Sequence, residues 1–154
     1  MLRWLWLSLF LLILDQASKQ LAEAGLQLYE RIPLLPFFNL TLAYNEGAAF
    51  SFLSNQDGWQ RWLFSGLALL VTLVLVMWMK RLRSDERLLA IALALIIGGA
   101  LGNLIDRMLW GHVIDFLDLY YRQWHWPAFN LADSAIVLGV SLFILDTLRQ
   151  GRKT

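Results

Sequence analysis

The chain has 154 residues, 58% of them hydrophobic and 16% charged, with a net charge of +1. A mean hydropathy of +0.54 is too apolar for a soluble domain of this length, and a near-neutral charge without a long basic run argues against nucleic acid as the main partner. The absence of cysteine removes disulfides, thiol nucleophiles and thiolate metal sites, and His112 and His125 are too few for a His-rich metal centre.

A membrane-spanning helix needs roughly 20 apolar residues, and four stretches qualify, so the expected fold is an all-α membrane protein, a four-transmembrane-helix bundle in a single domain over residues 1–154. The first span, about 5–21, is interrupted by Asp15 and Lys19, which lie on one helix face where they can pair. Arg3 before the apolar run and Ala22-Glu23-Ala24 after it also fit a cleavable signal peptide. That triplet is distant from the run, and Asp15, Gln16, Ser18 and Lys19 make an ordered polar face, so a retained helix is the expectation. The connection that follows, about 22–60, is the only region read as having strand character. Phe37 to Tyr44 is aromatic and partly alternating, follows two prolines and ends at the turn signal Asn45-Glu46-Gly47. A small sheet or hairpin is expected there, seated at the membrane interface by Phe50, Phe52 and Trp59; the alternative is a structureless aromatic loop.

The second span, about 62–79, carries no charge, and the third, about 88–105, carries only Asn103 as a strongly polar side chain. Gly98, Gly99 and Gly102 permit close packing of that third helix. Asp106 at its end opposes the helix dipole, so compensation is expected from Arg107 and Asn103 in an Asn-Asp-Arg cluster, whether as support for a site or as a plain interfacial salt bridge. In the second connection, about 107–128, Val113-Ile114-Asp115-Phe116 would carry a carboxyl into a protected place. Asp118 competes for that role, but Tyr120, Tyr121 and Arg122 suggest a wetter setting. The fourth span, about 129–148, opens on Asn130 with Asp133 three residues later, a variant of the capping box, and a helix N-terminus there would stabilise ionised Asp133.

Arg3, the group Lys80, Arg81, Arg83 and Arg87, and the terminal Arg149, Arg152 and Lys153 share one side only if both termini and the second-to-third connection are cytoplasmic. The connections 22–60 and 107–128 are then extracytoplasmic, and the small β-rich region with them. Trp4, Trp6, Trp59, Trp62, Trp78, Trp110, Trp124 and Trp126 read as interfacial belts, and the two histidines as interfacial hydrogen-bonding side chains.

Acids and amides at the edges of hydrocarbon-length helices are costly and by default mark a functional site. Two aspartates close together can share one proton, because both cannot ionise, and such a pair can activate water for peptide hydrolysis without a metal or a covalent intermediate. Asp115 and Asp133 are the candidates.

The order Asp15-Gln16-x-x-Lys19, Asn45-x-Gly47-Ala48-Ala49-Phe50, Gly102-Asn103-x-x-Asp106-Arg107, Val113-x-Asp115-Phe116 and Phe129-Asn130-x-Ala132-Asp133 is similar to that of the lipoprotein signal peptidase (signal peptidase II) family of bacterial inner membranes. Each motif alone is weak, but five in order over nearly the whole chain are specific. The resemblance implies an intramembrane aspartic endopeptidase that removes the signal peptide of a prolipoprotein on the amino side of the diacylglyceryl-modified lipobox cysteine. It implies Asp115 and Asp133 as the catalytic pair, with supporting or substrate-binding roles for Asp15, Lys19, Asn45, Gly47, Asn103, Asp106, Arg107, Asn130 and Ala132. It further implies no metal or cofactor, contact with membrane lipid, inhibition by globomycin-type compounds, and action as a monomer. Residues 120–127, with Trp124 and Trp126, are the part least matched to the family pattern. Two other classes remain on the residues alone: a small proton- or ion-coupled transporter using Asp15, Asp106 and Asp133 as a relay, and a non-catalytic assembly factor. Clustering of the acids at one face favours the peptidase, with Asp115 expected to hold the shared proton.

Overall fold

A computed structural model describes residues 1–47 and 58–151. A short 3-10 turn, Leu2–Trp4, leads into α1, Leu5–Gly25; a hairpin of β1, Arg31–Leu35, and β2, Phe38–Asn45, follows. Then come α2, Trp59–Arg81, and α3, Arg87–Trp110, the strands β3, Val113–Tyr121, and β4, Trp124–His125, and finally α4, Leu131–Gly151. Among the described residues, α2, α3 and α4 are long and apolar enough to cross a membrane; α1, broken by Asp15 and Lys19, is not among them.

Helix α3 is the central strut. It packs against each of the other three helices, α4 most extensively, and is the one spanning helix largely enclosed by protein. Small residues explain the closeness. A Cβ placed on Gly98 would lie 3.0 Å from the Ser8 carbonyl oxygen, one on Gly102 would lie 2.5 Å from Asp15 Oδ2, and one on Gly99 would collide with the Ala132 carbonyl oxygen. The expected close packing through these three glycines is realised. An apolar cluster of Met79, Leu89, Leu93, Ala94 and Ile97 closes the opposite end, and the Ser8 hydroxyl donates to the Ala94 carbonyl at 2.7 Å.

The strands form one antiparallel order, β1-β2-β3-β4. The hairpin expected at Phe37–Tyr44 is present as β1 and β2, turning through Phe37 at φ +74°. Of the residues expected to seat it, Phe50 and Phe52 lie outside the described residues, and Trp59 is exposed at the start of α2. Strand character is not confined to the first connection, however. The second supplies β3, nine residues long, which pairs with β2 from Phe38↔Leu119 to Asn45↔Val113. The sequence hides it because Val113 to Phe116 are buried on both faces, which erases the period-two alternation. The fold is therefore a helical bundle with a four-stranded antiparallel sheet at one end.

Candidate active site

Helix α3 ends later than the sequence suggests, at Trp110, with Gly111 at φ +85° as its left-handed stop. Asn103, Asp106 and Arg107 thus lie inside its last turns. Two residues beyond the stop β3 begins, so Asp115 is delivered beside the α3 terminus, and it is only 2% exposed. On the other side, α4 starts at Leu131 behind Asn130. The Asp133 backbone N–H donates to Asn130 Oδ1 at 2.9 Å and the Asn130 N–H to Asp133 Oδ2 at 3.3 Å, the reciprocal pair of a capping box, as expected.

This local geometry orients the Asn130 amide nitrogen. It donates to Asp115 Oδ1 at 2.7 Å, with Asn103 Oδ1 at 3.2 Å and the Ile114 carbonyl at 3.3 Å. Asn103 Nδ2 donates to Asp133 Oδ1 at 2.7 Å, and Asn45 Nδ2, from the end of β2, to Asp115 Oδ2 at 3.1 Å. Each oxygen of the two carboxylates therefore accepts one N–H, supplied by β2, α3 and the start of α4. A carboxylate offers about four acceptor positions, so both groups are held yet keep capacity for a further partner. Burial first, and the charge of Asp133 second, raise Asp115 from 3.8 to about 7 against the hydrogen bonds of Asn45 and Asn130 and the charge of Lys19.

Behind the pair lies a fully enclosed ionic group. Lys19 Nζ contacts Asp15 Oδ2 and Asp106 Oδ2 at 2.8 Å each and donates to Asn103 Oδ1 at 3.0 Å. The pairing of Asp15 with Lys19 follows the four-residue spacing, but Asp106 does not form the ion pair expected with Arg107. Neighbours on a helix diverge by about 100°, so the compensating cation comes from α1 instead. Asp106 also accepts Gln16 Nε2 at 2.7 Å and the Ile114 N–H at 3.2 Å, and Asp15 accepts the Ala132 N–H at 2.9 Å. Arg107 turns outward over the Phe64 ring and donates to the carbonyls of Asn103 at 3.3 Å and Gly47 at 3.4 Å, while the Gly47 N–H closes on Asn45 Oδ1 at 3.1 Å.

All eleven residues singled out in the sequence, Asp15, Lys19, Asn45, Gly47, Asn103, Asp106, Arg107, Asp115, Asn130, Ala132 and Asp133, thus join one connected network. Of the motif containing Asn45 and Gly47, Ala48, Ala49 and Phe50 lie outside the described residues. Gln16 also belongs to the network; it stands in the polar face and the motif of the first helix but carried no expected role. Its position between Asp15 and Lys19 was the available signal, and its partner Asp106 is 90 residues away.

Asp118 is a correction. Its setting is not wet: it is 3% exposed, accepts Asn39 Nδ2 at 2.8 Å and lies 2.9 Å from His125 Nδ1, apart from the Asp115 group. His125 and His112 make ring contacts with Tyr120 and Tyr44. Among the described residues no group of three or more His, Asp or Glu side chains is disposed to hold a metal ion.

Apolar helices, with two acids held by amide N–H donors at one end of the bundle, define a membrane protein with a built acidic site. Residues 7–149 match the family model described as signal peptidase (SPase) II, and the chain belongs to that peptidase family. It is 56% identical over 146 residues to a lipoprotein signal peptidase of Photorhabdus laumondii, covering 95% of this chain and 87% of that protein. A lipoprotein signal peptidase of Pseudomonas aeruginosa is 53% identical over 150 residues, covering 96% and 89%. Two solved chains described as bacterial membrane enzymes superpose with TM-scores of 0.88 and 0.81, at 29% and 31% identity. The first covers 99% of this chain and 91% of its own, the second 95% and 92%.

Proposed function

We propose that this chain removes the signal peptide from bacterial prolipoproteins, cutting on the amino side of the diacylglyceryl-modified lipobox cysteine, with Asp115 and Asp133 as a water-activating pair. The observation that carries this reading is the set of four N–H donors, one on each oxygen of the two acids, which holds both carboxyls while leaving acceptor capacity for water and substrate. The likeness to proteins named lipoprotein signal peptidase supports the substrate class.

In the mechanism, Asp133 is the ionised partner, since the α4 N-terminus favours its anion. It takes a proton from a water molecule. Asp115 holds the shared proton and donates it to the scissile carbonyl oxygen as hydroxide adds to the carbonyl carbon, giving a neutral tetrahedral diol. Asp133 then passes its proton to the leaving nitrogen while a diol hydroxyl returns one to Asp115. The C–N bond breaks, and the pair regains its starting state. No covalent intermediate is required. Arg107 anchors the Gly47 carbonyl and the Gly47 N–H holds Asn45 over Asp115, while the Lys19 group holds Asn103 beside Asp133.

The same reading places all four long helices across the inner membrane, with α1 made spanning by its internal ion pair, both termini cytoplasmic and the sheet outside. The protein acts as a monomer, and globomycin-type inhibitors occupy the acid pair. Cleavage of a diacylglyceryl-modified prolipoprotein by purified protein in detergent with chelator present tests the proposal. Loss of cleavage in folded Asp115→Asn and in Asp133→Asn supports the pair, whereas cleavage persisting in either moves the chemistry to another acid.

A further inference from the structure

The chain returns from β4 to Asn130 through Trp126, Pro127, Ala128 and Phe129. At its two ends this return segment is pinned to β3 by backbone bonds: Trp126 N–H to the Leu119 carbonyl at 2.8 Å, Phe129 N–H to the Leu117 carbonyl at 3.0 Å and Leu117 N–H to the Phe129 carbonyl at 2.8 Å. Between them Pro127 has no N–H to give, and a cleft of about 400 Å³ opens there, bounded by Arg31, Asp118, His125 and Pro127. A side-chain interaction flanks this gap at its β4 end. His125 Nδ1 lies 2.9 Å from both oxygens of buried Asp118, which also accepts Asn39 Nδ2 at 2.8 Å and lies 3.6 Å from Arg31 Nε.

Resting on the aspartyl reading above, we infer that Asp118 and His125 are positioning residues for the reaction: their bond fixes the return segment on β3, and thereby holds the Asn130 amide on Asp115. Neither touches the reacting atoms. The lever is short, because Asp118 and Asp115 share β3, while His125 and Asn130 lie at opposite ends of the segment that the bond fastens.

The groups acting on Asp115 are Asp133 from α4, Lys19 from α1, Arg107 from α3, and the amides of Asn45 and Asn130; those facing His125 are Asp118 and Arg31, with Tyr120 stacked at 5.4 Å. The Asn130 bond favours ionised Asp115, so loosening it moves the alkaline limb of the rate profile to higher pH.

The test compares kcat, KM and the pH profile of prolipoprotein cleavage for wild type, His125→Phe, which keeps the ring on Tyr120 without the bond, and His125→Gln, which restores a donor. The expected result is a kcat lower by about tenfold in His125→Phe, the rate equivalent of one hydrogen bond to a charged group. KM should be little changed, the alkaline limb should lie at higher pH, and His125→Gln should recover most of both. If His125→Phe does not fold, the isosteric Asp118→Asn is measured in its place with the same expectation. A wild-type profile in the bond-breaking variant, or a lower kcat with an unmoved limb, overturns the inference. An Asp115→Asn control that still cleaves would instead sink the aspartyl reading itself.

Discussion

Burial of Asp115 carries a stability cost of defined sign. Its folded value of about 7 stands above 3.8, so the folded protein binds this proton more tightly than the unfolded chain and loses stability as pH rises between those values. The penalty is fully present above pH 7 and is on the order of 4 kcal/mol. Asp115→Asn, which carries no charge to desolvate, is therefore expected to be inactive yet to unfold at higher temperature than wild type in detergent at pH 8. The difference should shrink at pH 5, and a lower unfolding temperature at pH 8 would contradict the burial argument. If Asp115 is the general acid, as proposed, cleavage is expected to fall as pH rises through about 7, which a rate profile reads directly. Lys19 gives the complementary case. It is 0% exposed between Asp15 and Asp106, and Lys19→Met strands two buried carboxylates at a cost of about 3–5 kcal/mol. Loss of folded protein on size exclusion is expected, with partial recovery when Asp106→Asn is added. Half of this group was readable from sequence, because the Asp15–Lys19 spacing is local. The other half was not, because the cation serving Asp106 comes from α1, and the adjacent Arg107 only looked closer.

Elements meet at this site through small residues as much as through polar ones. Gly102→Ala forces a methyl against Asp15 Oδ2 and the Ala132 Cβ, so it should cost about 1–3 kcal/mol and pull Asp15 from the Ala132 N–H. Gly66→Ala, in α2 with nothing within 4 Å of the added Cβ, serves as the control and should be neutral or slightly stabilising. Thermal unfolding and cleavage rate of the two variants, measured side by side, check the contrast. The α4 capping box was legible in Asn130-x-x-Asp133 because its bonds are local to one turn. Strand β3 was not legible, and with it the sheet was underestimated. A segment buried on both faces carries no alternation, and its partner β2 lies about half the chain away. Asp118 was misjudged for the same reason, since its exposed-looking neighbours Tyr121 and Arg122 belong to the hairpin end, whereas Asp118 itself is covered by Asn39 and His125.

For the molecule as a whole, α3 is enclosed while α2 and α4 present apolar faces outward, the pattern of a bundle in lipid. The proposed orientation is accessible to experiment because the chain has no cysteine of its own. With both termini cytoplasmic, Ser84→Cys, in the turn between α2 and α3, should react with a membrane-impermeant maleimide only after spheroplasts are lysed. Arg122→Cys, in the turn between β3 and β4, should react in intact spheroplasts, and the reverse pattern would invert the topology. Helix α1 is made before the helices it packs against, and until they emerge its buried carboxylate and ammonium have only each other and Gln16 of the same helix. Asn103 is synthesised 84 residues after Lys19, and the Ala132 N–H that receives Asp15 comes 117 residues after it. On the proposed four-span arrangement α1 is until then a marginal segment at the translocon, and its place in the bilayer would be settled late, by helices that emerge after it.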